Sequence, residues 1–177
     1  MKILIMCEGP NELELVKILL ENNCFIFSED DLLDLTPFHA RQISSSSAVK
    51  TALNIYPGND VVVYRIGDKI NDTLKIPNEY KEKITEVKKY CTKPELEMLL
   101  IISEGKESDY EKVKSKTMPK EYAKAHIVFK RKRYDNSTRF YKDYYSGRSE
   151  KLVDDIKKYK QIKSNAKGEL YLADLLK

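Results

Sequence analysis

An α/β fold with a mostly parallel central sheet flanked by helices is predicted by three features of this sequence. The first is Lys2–Cys7 (KILIMC), a short continuous apolar run. The second is Asp60–Ile66 (DVVVYRI), which is β-branched and apolar. Runs of this kind read as strands buried on both faces. The third is the change of period between them. Leu13, Val16, Leu19 and Leu20 recur at helical spacing, and Ser44–Ser47 supplies hydroxyls able to cap a second helix. Strand, helix, strand, helix, strand within 66 residues predicts parallel units with crossover helices.

The elements follow in order. Lys2–Cys7 is cut off by Glu8-Gly9-Pro10, and Asn11–Glu21 is the first helix, with Pro10 suited to its first turn because the missing N–H has no partner there. Leu32–Leu35 and Phe38–Ile43 hold an extended segment without a fixed register. A helix runs from the serines to about Tyr56, and Pro57-Gly58-Asn59 turns into the strand Asp60–Ile66. Pro77–Tyr90 is expected as a charged surface helix, and Pro94 opens another (PELEMLLIIS). Residues 105–125 are polar, with short helical pieces. His126–Phe129 reads as a short strand, Ser149 caps a helix to about Ile162, and Leu170–Leu176 reads as a last short helix after Gly168.

The 177 residues fit one compact body, divided here into an α/β part, 1–128, and a basic, tyrosine-rich, helical C-terminal extension, 129–177, packed on it. The net charge of +4 conceals an asymmetry. Residues 110–163 carry 17 Lys or Arg against 7 Asp or Glu, and the rest carries 15 against 21. Such a split suits a protein holding cations in one place and polyanions in another. Cys7, Cys24 and Cys91 are widely spaced with no CxxC, and neither His39 nor His126 has zinc-ligand spacing. A reducing, cytoplasmic setting is expected, since the apolar start is too short for a signal or a membrane span.

In an open parallel sheet, ligands bind outside the carboxyl ends of the strands. Glu8 directly follows the first strand and Asp68 the third, with Asp72 one turn further and Glu12 at the start of the first helix. Clustered carboxylates repel, and a divalent cation relieves them. Taken singly, each acid also fits a structural role: Glu8 and Glu12 at a helix N-terminus, Asp68 and Asp72 in a turn. Lys69, within the acidic loop, either steers phosphate or neutralises Asp68. In FKRKRYDNSTRFYKDYYSGR, the cations Lys130, Arg131, Lys132, Arg133, Arg139, Lys142 and Arg148 alternate with Tyr134, Phe140, Tyr141, Tyr144 and Tyr145. Cations contact phosphates, and exposed rings stack on unpaired bases, a pattern suited to single-stranded or looped nucleic acid. Equally, the rings pack inward while the charged heads reach water.

These residues carry a resemblance. ILIMCEGPNE resembles the first motif of the Toprim fold, a strand ending in Glu-Gly with a second Glu four residues on. VVVYRIGDKIND resembles the second motif, and PELEMLL a later helix opened by an acid matched by Glu97, with Glu95 its neighbour. The likeness spans residues 1–104 and is to the overcoming-lysogenization-defect and RloB-type groups. It implies a Toprim-like, Rossmann-like sheet and an Mg²⁺- or Mn²⁺-dependent nuclease acting on DNA or RNA in phage defence or nucleic-acid processing. Glu8 would be general base or metal ligand, Asp68 a metal ligand, and Glu12, Asp72 and Glu97 supporting ligands. The sequence departs from the pattern at Ile66, where the first acid of an Asp-x-Asp pair is expected. That departure motivates an alternative, a non-catalytic nucleic-acid-binding or regulatory module working with an ATPase or effector partner. A response-regulator-like domain is the third reading, and Asp68 after Gly67 matches it poorly.

Overall fold

A computed structural model describes residues 1–68, 73–92, 95–162 and 168–177. Five parallel strands form the central sheet: β1 (Lys2–Cys7), β2 (Phe38–His39), β3 (Val61–Gly67), β4 (Ile84–Cys91) and, near the C-terminus, Leu170–Tyr171. The chain between them forms α1 (Pro10–Glu21), α2 (Ser47–Ile55), α3 (Glu97–Ser103), α4 (Glu107–Glu111) and α5 (Pro119–His126). A hairpin of β5 (Val128–Phe129) and β6 (Lys132–Arg133) follows, then α6 (Thr138–Tyr145) and α7 (Ser149–Ile162), which makes Leu170–Tyr171 β7. The sheet order is β2-β1-β3-β4-β7. This is the 2-1-3-4-5 order of doubly wound α/β folds, whose direction reverses between β1 and β3.

β1 and β3 pair along their whole length, Lys2 with Val61 through Cys7 with Ile66. Alternation along these strands divides the core. Ile3, Ile5, Cys7 and Ile66 meet Leu15, Val16 and Leu19 of α1 and the aromatic residues of α6. Leu4, Met6, Val61 and Val63 meet Val49, Ala52 and Leu53 of α2. Both faces being covered, these strands are apolar apart from Lys2 at the start of β1 and Arg65 in β3. Pro10 opens α1 as expected, and the Ser46 side chain caps α2 by accepting from the Val49 N–H at 3.3 Å.

Two expected helices are strands. Ile84–Cys91, placed in the helix Pro77–Tyr90, is β4, paired with β3 from Val61–Ile84 to Gly67–Cys91. Its Glu86 and Lys88 lie on the exposed part of the strand and bridge at 3.2 Å, so a charged pattern suggestive of a helix is a strand with one wet face. Sheet pairing outweighs local propensity there. Leu170–Leu176 is likewise not a helix: Leu170 and Tyr171 pair with Tyr90 and Cys91, and a 3₁₀ turn, Leu172–Leu175, follows. Of Phe38–Ile43 only Phe38–His39 is strand, and Leu32–Leu35 reduces to one bridge to Ile3 and a 3₁₀ turn.

The rings between residues 134 and 145 point inward. Tyr134, Phe140, Tyr141, Tyr144 and Tyr145 are each no more than 6% exposed and share a core with β1 and α1. The packing reading of these rings is the correct one, and base stacking by them is excluded. Among the described residues no helix is long and apolar enough to cross a membrane.

Candidate functional site

The topology brings the carboxyl ends of β1 and β3 side by side at the point where strand order reverses. The Glu8 N–H continues the ladder by donating to the Ile66 carbonyl at 2.9 Å. Its carboxylate lies directly over Gly67, so close that a β-carbon there would stand 2.3 Å from Glu8 Cδ. Glu8 is buried, and its Oε1 accepts from Arg65 Nη2 at 3.3 Å. Arg65 is only 2% exposed and also donates to the Arg41 carbonyl at 3.2 Å. Arg41 in turn donates through Nε to the Glu8 carbonyl at 3.2 Å. One acid of the rim is thus held by an internal cation, and removing either member would strand a buried charge.

The other acids act on one another through their charge. Glu12 sits in the first turn of α1, folded back over the capping Gly9: a β-carbon on Gly9 would lie 2.3 Å from its Oε2. Burial lifts its carboxyl above the ordinary range, and the negative charges of Asp68, Glu8 and Glu97 lift it further, against a backbone hydrogen bond that lowers it. Asp68 is exposed, directly after β3. Glu97 is 7% exposed at the start of α3 and accepts from the Tyr134 hydroxyl at 2.8 Å, which stands 3.1 Å from the Tyr141 hydroxyl. Glu95, which accepts from the Lys120 N–H at 3.3 Å, is also lifted, by burial and then by Glu97, with Asp68 a smaller cause. Elements distant in sequence therefore place Glu12, Asp68, Glu95 and Glu97 in one negative field.

Open space adjoins Glu8. A cleft of about 410 Å³ is lined by Glu8, Arg65, Gly67, Lys89, Cys91 and Glu169. A second opening, about 620 Å³, lies between Glu8, Gly9, His39, Arg41 and Ser46. Glu8 borders both.

Among the described residues, no three His, Cys, Asp or Glu side chains form a group that could hold a metal ion as placed. The chemistry of the donors nonetheless fits a hydrated hard cation. Glu12 and Asp68 offer carboxylate oxygens in a field that already disfavours their joint charge, and Mg²⁺ needs only one or two carboxylates besides water and substrate phosphates. Asp72 and Lys69 lie outside the described residues.

No family model, no curated protein and no solved structure matches this chain.

The expected cationic group divides. Lys130, Arg131, Lys132 and Arg133 form an exposed hairpin, and Arg139 and Lys142 are exposed on α6. Lys132 and Arg139 both approach Asp143, at 3.7 and 3.8 Å. Arg148 is turned inward: its guanidinium lies 4.5 Å from the Phe129 ring centre and 4.2 Å from that of Tyr144. Its first role is packing.

Arg65, Arg41 and Gly67 were missed by sequence reasoning. A signal for Arg65 was present, since an arginine inside VVVYRI is an anomaly in a strand buried on both sides and calls for a buried partner. Gly67 carried a weaker one, a glycine at a strand end where another group comes close. Arg41 carried none.

Proposed function

We propose that this chain is a divalent-metal-dependent nuclease of Toprim-like type, hydrolysing phosphodiester bonds of DNA or RNA at the β1–β3 rim. What supports the reading is the gathering of acids at the carboxyl rim of β1 and β3, where burial lifts the Glu12 carboxyl and the negative charges of Asp68, Glu8 and Glu97 lift it further. Like charges gathered at the switch point of a parallel sheet are the environment in which a cation and a phosphodiester are both accommodated. Glu12 and Asp68 would hold Mg²⁺ or Mn²⁺, with Glu97 and Glu8 beside them. When bound, such an ion supplies positive charge to a phosphate and acidifies water. A carboxylate not taken up by the ion would accept the proton of an attacking water, and by the motif resemblance that group is Glu8. Arg65 positions Glu8, and the Tyr134 hydroxyl fixes Glu97. A setting in phage defence or nucleic-acid processing belongs to the same proposal and rests on the motif resemblance alone.

The test is cleavage of single-stranded and duplex DNA and RNA with Mg²⁺, Mn²⁺ or EDTA, for the wild type, Glu12→Gln and Asp68→Asn. Metal-dependent cleavage, reduced about 100-fold or more in each variant, is expected. Cleavage that survives both substitutions, or persists in EDTA, overturns the assignment.

One observation favours a second reading. Ile66 stands where an acid is expected, and Arg65 beside it already pairs with Glu8. Both reduce the negative charge available to a metal. A non-catalytic nucleic-acid-binding module, with an ATPase or effector as partner, would bind nucleic acid in the same assay without cutting it.

A further inference from the structure

The β5–β6 hairpin is built unlike an ordinary surface turn. Val128 pairs with Arg133 and Phe129 with Lys132, leaving Lys130 and Arg131 as a two-residue connection. Their φ angles are +47° and +67°. Two positive φ values in succession are those of the type I′ turn, which Asn-Gly fills with least strain. Residues with a β-carbon are disfavoured in that conformation. Here the strained positions carry two long cations, flanked by two more, Lys132 and Arg133, and all four are exposed. Neither hairpin formation nor core packing favours this choice of residues. Strain held at an exposed turn points to use of what it displays.

The base of the hairpin is fixed while its tip is bare. The Tyr134 N–H donates to the Ile127 carbonyl at 3.0 Å, and both residues are buried. The Phe129 ring meets the Tyr144 ring edge-on at 4.9 Å, and the Arg148 guanidinium packs on both. A prong pinned in this way presents its cations without the ordering cost that a mobile loop carries on binding. Arg139 extends the patch, giving five cations against Asp135 and Asp143. Asp135 is engaged by Ser137, whose N–H and hydroxyl donate to it at 3.0 and 2.6 Å.

The prong also has a position relative to the acidic rim. Arg133 is followed directly by Tyr134, whose hydroxyl touches Glu97. Three residues span at most about 10 Å of chain, so Arg131 lies within about 10 Å of Tyr134. That is about three base-pair steps along a duplex axis.

We infer that the β5–β6 hairpin is a phosphate-gripping prong for double-helical nucleic acid, contacting the backbone through Lys130–Arg133 and holding it beside the acidic rim. The inference rests on the reading of this chain as acting on nucleic acid. A duplex is favoured over a single strand because single strands are held largely by stacking of bases on exposed rings. Tyr134, Phe140, Tyr141, Tyr144 and Tyr145 are buried, and Phe129 is already covered by Lys130 and Arg148. What remains exposed is charge, and a duplex offers the denser array of phosphates.

The test is fluorescence anisotropy with a labelled 20-base-pair DNA duplex and the matching single strand, over a range of salt, in EDTA so that neither metal nor cleavage contributes. The variant Lys130→Asn/Arg131→Gly installs the residues a type I′ turn prefers, so its thermal midpoint is expected to hold or rise. Its duplex affinity is expected to fall about tenfold or more at 0.1 M salt, with the slope of log K against log salt reduced by about 1.8. Unchanged duplex affinity and slope in that variant, tighter binding of the single strand by the wild type, or no binding by the wild type would each overturn the prong. A chain that binds duplex through the hairpin but never cuts it upholds the prong while ending the nuclease reading.

Discussion

Gly67→Ala probes the rim through a single methyl group. The added carbon would stand 2.3 Å from Glu8 Cδ and 2.5 Å from both Cγ and Oε2. Glu8 is buried, and a retreat of its side chain would loosen its bond to Arg65. Overpacking of this kind costs about 1–3 kcal/mol, and a charge-assisted hydrogen bond contributes about 1.5–3 kcal/mol. Arg65 keeps the Arg41 carbonyl, so the lower ends apply, together about 2.5 kcal/mol. Gly67 does not have a positive φ, so alanine brings no backbone strain and recovers about 0.5–1 kcal/mol of chain entropy. The net loss is about 1.5–2 kcal/mol. In a Glu8→Ala background the three obstructing atoms are gone, and Gly67→Ala should be neutral or slightly stabilising. Urea unfolding of the four proteins of this cycle, followed by circular dichroism at pH 7, is expected to give a coupling of about 2–2.5 kcal/mol. Equal cost of Gly67→Ala in both backgrounds would refute the close approach of Glu8 and the argument built on it.

Three further outcomes follow from buried polar groups. Tyr134→Phe removes the hydroxyl that donates to Glu97, and should cost about 1–3 kcal/mol in urea unfolding; a loss under about 0.5 kcal/mol would mean that Glu97 does not depend on it. Arg148→Ala removes the guanidinium from Phe129 and Tyr144 and its 2.7 Å bond to the Tyr144 carbonyl. A loss of about 1.5–3 kcal/mol and faster hydrogen exchange at the Tyr134 N–H are expected, and unchanged exchange would show that Arg148 does not pin the hairpin. Asp155 is 4% exposed and accepts from the Tyr145 hydroxyl at 3.1 Å, and burial lifts its carboxyl above the usual range. The folded chain therefore keeps a proton that the unfolded chain loses near pH 3.9, so this residue's contribution to stability falls as pH rises from there through the lifted value. Asp155→Asn should abolish that fall, and parallel stability–pH curves for wild type and variant would contradict it.

The parts of the fold legible in the sequence were those with one physical cause. β1 and β3 are covered on both faces, so burial makes them nearly all apolar, Arg65 being the exception within β3, and α1 and α2 announce themselves by period and cap. β4 has two causes at once. It pairs with β3 throughout but with β7 only at Tyr90 and Cys91. Most of its outer side thus behaves as an edge, where charged residues discourage further pairing. Glu86, Lys88 and Lys89 satisfy that need and imitate a solvated helix. Leu170–Tyr171 is too short for any alternation to show.

That Glu8 and Asp68 emerge at the same rim was legible for a topological reason: whatever follows a strand in a parallel sheet leaves at its carboxyl end, and β1 and β3 are paired. Their charge state was not legible, because it depends on register. Met6 is paired with Arg65 and Cys7 with Ile66, which places Arg65 within reach of Glu8 and turns Ile66 into the larger core. Had the arginine stood one position later in β3, alternation would have sent it to the α1 side, toward Glu12. The negative field of the rim thus belongs chiefly to Glu12, Asp68 and Glu97, with Glu8 offset by Arg65. Under the proposed reading, Glu12 and Asp68 alone would be a weak cage for a cation. They would gain strength only if substrate phosphates completed the coordination, and a rim of restrained negative charge with cations displayed beside it would favour this.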